Sequence, residues 1–122
     1  VLFVYGTLRF PEVLRALLGR TPSGAVARAP GWRAAALEHR PYPGLVAAPG
    51  SVTQGVLLGD LTVREWGILD DYEGPEYDLR RIALEGGAHG WTYVWAGTDV
   101  RPDTWDAEAF RAHGLPGFLA LL

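Results

Sequence analysis

Val1-Leu2-Phe3-Val4-Tyr5-Gly6-Thr7-Leu8-Arg9 opens the chain with four apolar residues, an aromatic bearing a hydroxyl, a glycine and a small hydroxyl residue. A short apolar run cut off by glycine reads as a buried strand that stops at a tight turn. Gly6 has access to backbone angles that other residues avoid, so the N–H groups around it can converge on one point. Converging N–H groups form an anion-binding concavity. The segment therefore reads as one wall of a pocket for a small carboxylate or phosphate.

The 122 residues that contain it are enough for one domain with a genuine core, spanning residues 1–122. The net charge is -3, with acids and bases interspersed, so there is no basic footprint for nucleic acid and no polybasic membrane patch. No apolar run approaches the roughly 20 residues of a membrane helix. The opening strand lacks the character of a signal peptide, and the expected location is the cytoplasm. Cysteine is absent, which removes disulfides, thiolate nucleophiles and Cys-ligated metals. Lysine is absent too, because all 11 basic residues are arginine; Schiff-base chemistry and a P-loop lysine go with it.

Downstream, Pro11 to Gly19 reads as a short helix with Val13, Leu14, Leu17 and Leu18 on one face. Two short strands are expected in Ala25 to Leu37, a turn across Arg40–Gly44, a brief strand at Leu45-Val46, and a turn at Ala48-Pro49-Gly50. Val52 to Leu61 reads as a further strand. Thr62 followed by Glu65 is a capping box, and predicts a helix from Val63 to about Asp71. Residues 72–77 then form a loop. Arg80–Glu85 and Gly90–Ala96 pair as a hairpin, and a helix runs from Asp103 to Ala112 with Trp105 and Phe110 inward. The apolar tail from Gly114 docks on the body. Short strands, few helices and frequent glycines give an α+β domain with a small, strongly curved or barrel-like sheet.

Chemistry concentrates at two places, the Tyr5–Leu8 turn and the acidic stretch Asp70, Asp71, Glu73, Glu76 and Asp78. A helix C-terminus repels carboxylates, so a cluster of them there needs a reason beyond solvation. Glu73 sits between an aromatic residue and a Gly-Pro turn. Packed against rings, it would hold its proton to higher pH and serve as an acid or base near neutrality. His39, His89 and His113 lack metal-ligand spacing, Ser23 and Ser51 lie in no nucleophile elbow, and Tyr5-Gly6-Thr7 is not a dinucleotide fingerprint.

Phe3-Val4-Tyr5-Gly6-Thr7-Leu8-Arg9, Tyr42-Pro43-Gly44-Leu45, Val52 to Leu57 with Gly55, and Leu69-Asp70-Asp71-Tyr72-Glu73-Gly74-Pro75-Glu76-Tyr77, in this order, resemble the γ-glutamylcyclotransferase-like superfamily, in its AIG2-like branch. The resemblance runs from residue 2 to about residue 96. It implies a small mixed β-barrel with flanking short helices, of the BtrG-like type. It implies an enzyme that cyclises a small-molecule γ-glutamyl substrate to 5-oxoproline and releases an amine or amino acid, without metal or organic cofactor. Carried over by position, Tyr5, Gly6, Thr7 and Leu8 would hold the glutamyl moiety, Glu73 would move the proton, and Tyr77 would line the site. Thr7 stands where other members carry serine, and Asp78-Leu79 separate Tyr77 from Arg80-Arg81, so no arginine role carries over. The far wall is expected from Tyr42–Leu45 and the C-terminal segment. Two other readings fit the same residues: a non-catalytic module that binds a carboxylate metabolite, and a hydrolase or transferase of another amide.

Overall fold

The computed structural model describes residues 1–122. Six strands form one curled sheet: β1 (Leu2–Val4), β2 (Gly24–Leu37), β3 (Gly44–Leu58), β4 (Tyr77–Ala83), β5 (His89–Trp95) and β6 (Val100–Thr104). Their order is β4-β5-β1-β3-β2-β6, and β5 also pairs with β3. The result is a half-barrel with β4 and β6 at its edges. Helices α1 (Pro11–Leu18) and α2 (Val63–Glu73) and the short α3 (Ala107–Ala109) and α4 (Leu115–Leu119) flank it. No helix is long and apolar enough to cross a membrane.

The opening strand is buried on both faces. Leu2 and Val4 point toward the helices and pack with Leu8, Phe10, Leu69 and Phe110. Phe3 and Tyr5, alternating as strand geometry requires, point into the curl with Ala29, Leu45, Ile82 and Val94. One three-residue strand thus joins two apolar clusters. Beyond Val4 it leaves the sheet, and Leu45 of β3 comes to pair with Val94 of β5.

The expected breaks in 25–37 and 45–61 are a single bulge in a continuous hairpin. Pairing steps from Pro30 opposite Val52 to Trp32 opposite Ala47, so one residue, Gly31, faces the four residues 48–51. Gly31 (φ 83°) and Gly50 (φ 87°) take the left-handed angles this excursion demands. Turn chemistry at Ala48–Gly50 was legible, but hydrogen bonding resumes on either side, and the bend curls the sheet. β3 ends at Leu58, β4 spans Tyr77–Ala83 rather than Arg80–Glu85, and β5 begins at His89.

The Asp103–Ala112 helix needs correction. Residues 100–104 are an edge strand, where Pro102 is tolerated, and Ala35 and Leu37 of β2 pair with Thr104 and Val100. Helical structure starts only after Asp106, whose side chain accepts from Ala109 N–H at 3.0 Å, and continues through a wide turn at Phe110–Gly114 into α4. Phe110 is buried, as expected, and stacks on Phe10 and Trp105.

The capping box forms in full. Glu65 N–H donates to Thr62 Oγ1 at 3.1 Å, and Thr62 N–H donates to Glu65 Oε1 at 3.0 Å. Glu65 also accepts two bonds from the Arg20 guanidinium, at 2.7 and 2.6 Å, which ties α2 to the end of α1. Arg20, with the Thr62 N–H, lowers the Glu65 pKa to about 2. A depressed carboxyl stabilises the fold above its unfolded pKa and loses that contribution as pH falls toward the folded one. Arg20→Ala is therefore expected to lower the melting temperature at neutral pH, and the deficit should shrink between about pH 4.5 and pH 2. Thermal melts across that range check the sign.

Candidate active site

A cavity of about 260 Å³ opens where β1 leaves the sheet. All five tyrosines of the chain line it: Tyr5, Tyr42, Tyr72, Tyr77 and Tyr93. Glu73 is the only charged side chain on its wall. Gly6, Thr7 and Leu8 supply one side, and Phe118 and Leu122 from the C-terminal segment supply another.

The floor is built around Tyr5. Once β1 ends, β3 and β5 come together. The Tyr5 hydroxyl bridges the two strands there, donating to Tyr93 O at 2.6 Å and accepting from Leu45 N–H at 3.2 Å. Burial raises its pKa well above the ordinary phenol value, with the Glu73 charge adding to the effect. Its hydroxyl is fully engaged in holding two strands, so Tyr5 supports the cavity and does not present its hydroxyl to it.

Thr7–Arg9 form a single turn of 3-10 helix. Arg9 N–H donates to Gly6 O at 3.0 Å and Phe10 N–H to Thr7 O at 3.2 Å. The first two amides of the turn, Thr7 and Leu8, have no partner within it, as at any helix start, and donate to no loop or cap carbonyl. One reason for glycine at position 6 is space. An added Cβ would lie 2.8 Å from Pro43 Cγ. Pro43 packs over the turn and is itself held by Tyr77, whose hydroxyl donates to Pro43 O at 2.7 Å. The Tyr77 ring packs edge-on against Trp95 and tilts against Tyr42.

Glu73 lies in the last residue of α2, two residues beyond the expected end of the helix, rather than in a loop. Gly74 follows with φ 81°, and its N–H caps Asp70 O. The neighbouring Tyr72 is bonded to Thr7 Oγ1 at 2.7 Å, which joins the end of α2 to the Gly6 turn. Protein surrounds the Glu73 carboxyl except where it meets the cavity. Desolvation, followed by repulsion from Asp70, raises its pKa to about 8. Asp70 is fixed one helical turn away, accepting from Tyr93 Oη at 3.3 Å. Asp70→Asn is thus expected to move the Glu73 titration to lower pH, as read from the carboxyl carbon shift in an NMR titration. Burial is also the main cause of the raised pKa values of Tyr72, Tyr77 and Tyr93, so these hydroxyls stay neutral donors.

All six residues singled out from the sequence, Tyr5, Gly6, Thr7, Leu8, Glu73 and Tyr77, line this one cavity, although Glu73 is 65 or more residues from the turn in sequence. Tyr42, Pro43, Phe118 and Leu122 come from the two segments expected to form the far wall. Tyr72 and Tyr93 were missed. Tyr72 reads as the first residue of the loop after the helix, and Tyr93 as an apolar strand position; only the gathering of every tyrosine at one place distinguishes them.

Residues 2–111 match the family described as gamma-glutamyl cyclotransferase, AIG2-like. AIG2-like protein D of Arabidopsis thaliana is 33% identical over 128 residues, covering 98% of this chain and 84% of that protein. A Methanocaldococcus jannaschii protein named gamma-glutamylcyclotransferase and putative RNase is 38% identical over 71 residues, 58% of this chain and 32% of that one. Among solved structures, a solution structure from Arabidopsis thaliana superposes with a TM-score of 0.72 at 26% identity, covering 98% of this chain and 77% of that one. A solved gamma-glutamyl cyclotransferase shares the fold, with a TM-score of 0.59 at 17% identity over 98% of this chain and 83% of its own.

Proposed function

The chain belongs to the gamma-glutamyl cyclotransferase, AIG2-like family, and from that membership we propose that it cyclises a γ-glutamyl amide to 5-oxoproline, releasing the amine, with Glu73 as the proton carrier. One observation carries this reading: a carboxyl whose pKa burial raises to about 8 lines the same cavity as Thr7 and Leu8, whose amides begin a helical turn and donate to no loop or cap carbonyl. The substrate's own α-amine attacks its γ-carbonyl carbon. A proton passes from that nitrogen to the Glu73 carboxylate, the bond to the leaving nitrogen breaks, and Glu73 returns the proton to it. No water is consumed. The amides of the turn would stabilise the developing oxyanion, or hold the α-carboxylate. Because nucleophile and electrophile belong to one molecule, holding the glutamyl chain folded supplies much of the rate.

Glu73 is ionised in roughly one molecule in ten at pH 7 if its pKa is about 8. The rate constant kcat/KM is therefore expected to rise through about pH 8 and level off above it, with the substrate ammonium adding its own ionisation. Asp70→Asn should shift that limb toward lower pH.

The wall chemistry bears on the leaving group. No cationic side chain lines the cavity to pair with a second carboxylate, and aromatic surface dominates it. A γ-glutamyl amino acid would bring its carboxylate into that apolar space unpaired, at a cost above the roughly 1–3 kcal/mol of an unpaired neutral polar group. Apolar γ-glutamyl amines are expected to be at least about tenfold better substrates than γ-glutamyl dipeptides. Release of 5-oxoproline from a panel of both, by the wild type and by Glu73→Gln, tests the proposal. Binding without turnover across the panel would favour a metabolite-binding module, and incorporation of solvent oxygen would show hydrolysis instead.

A further inference from the structure

A second cavity, of about 280 Å³, lies between the bend of the β2–β3 hairpin, the edge strand β6 and the far end of the Gly6 turn. Its chemistry is opposite to that of the first. Arg9 and Arg33 line it, and no acidic residue does. Five of the eleven arginines, Arg20, Arg28, Arg40, Arg101 and Arg111, lie within 4.0 Å of a carboxylate. Of the six others, Arg9 and Arg33 are the two that line one cavity together, with no acidic residue on its wall.

Arg33 is held in place without being neutralised. Three of its N–H groups donate to the carbonyls of Arg101, Pro102 and Asp103, at 3.2, 3.3 and 2.9 Å. The remaining two of a guanidinium's five donors stay free. Arg9 makes no side-chain hydrogen bond and is half-buried, its stem beside the turn. The surrounding frame is pinned: Trp105 N–H donates to Ala34 O at 2.9 Å, and Thr53 Oγ1 donates to Trp32 O at 2.7 Å. Ser51 and Thr104 add hydroxyls to the wall. Two guanidiniums without a carboxylate partner, on the walls of one recess, add their positive potentials in the space between those walls. The planar forks of arginine match the oxygens of carboxylate or phosphate.

We propose that this second cavity is a binding site for a small oxyanion, a phosphate or carboxylate group of a compact metabolite, held by Arg9 and Arg33. The site is distinct from the Glu73 cavity. The two share only Tyr5, whose hydroxyl is taken up by the strands. The assignment does not depend on cyclotransferase activity.

The test is an amide NMR titration with inorganic phosphate and, separately, succinate, at pH 7.5 and constant ionic strength. Saturable shifts are expected at Arg9, at residues 51–54 and at Thr104, with a Kd of about 1 mM or tighter for at least one of the two anions. Which of them saturates distinguishes phosphate from carboxylate recognition. Arg9→Gln should weaken binding about tenfold or more. Arg15→Gln, which removes another arginine without a carboxylate partner, and Glu73→Gln should both leave it unchanged. Shifts that never saturate, that fall elsewhere, or that persist undiminished in a folded Arg9→Gln protein would overturn the assignment.

Discussion

Glu73→Gln is expected to lower kcat for 5-oxoproline release by about a thousandfold or more, while making the protein harder to unfold above neutral pH. The two effects share a cause. A carboxyl with a folded pKa of about 8, against an ordinary 4.5, binds its proton more tightly in the folded state. Below pH 4.5 it is protonated in both states and costs nothing extra. As pH rises toward 8 the unfolded chain gains from ionising and the folded chain does not, so stability declines until both are ionised. The two pKa values set a ceiling of about 5 kcal/mol on that loss, and contact with cavity water reduces it to an expected 1–3 kcal/mol, roughly. Glutamine keeps the shape and never ionises. Urea denaturation at pH 4 and pH 8.5 should show equal stabilities at the lower pH and a more stable variant at the higher. Equal stabilities at both would mean that Glu73 is not desolvated, and undiminished turnover would mean that it does not move the proton.

The largest purely structural effect is expected at Gly55. A Cβ there would lie 2.4 Å from the Val4 carbonyl oxygen and 2.8 Å from the Phe3 ring. The first of these is backbone, and it belongs to the strand that leads into Gly6. Gly55→Ala must push β1 off β3 or distort both, at an expected cost of about 3 kcal/mol or more. Gly67, in the middle of α2, is the matched control, because an added Cβ meets nothing within 4 Å. Gly67→Ala should stabilise by about 0.5–1 kcal/mol through helix propensity alone. Chemical denaturation of the two variants side by side separates a steric requirement from a general intolerance of change.

The elements legible in the sequence were those whose chemistry is local. The capping box at Thr62 and Glu65 started a helix where it was expected, because both bonds lie within four residues. The opening strand, stopped at Gly6, was equally plain. Harder to see was whatever depends on distant partners. The β2–β3 hairpin keeps pairing across Gly31 and Gly50, whose local signature is that of an interruption. Residues 100–104 form a strand only because β2 offers an edge, and nothing in Val100–Thr104 itself announces it. Gly6 was expected for its backbone freedom, and the structure adds a second requirement in Pro43, 37 residues away, lying against it. The cavity residues that emerged from the sequence lie in dense motifs. Tyr72 and Tyr93 act through position in three dimensions, and the second cavity is assembled from four separate stretches.

Phe118 and Leu122 close one side of the Glu73 cavity, and they belong to the short helix α4 and the residues just after it rather than to the sheet. That wall can be exchanged like a fitted panel. A swap of residues 115–122 for the matching piece of a relative would alter the shape offered to the departing amine and leave the strands untouched.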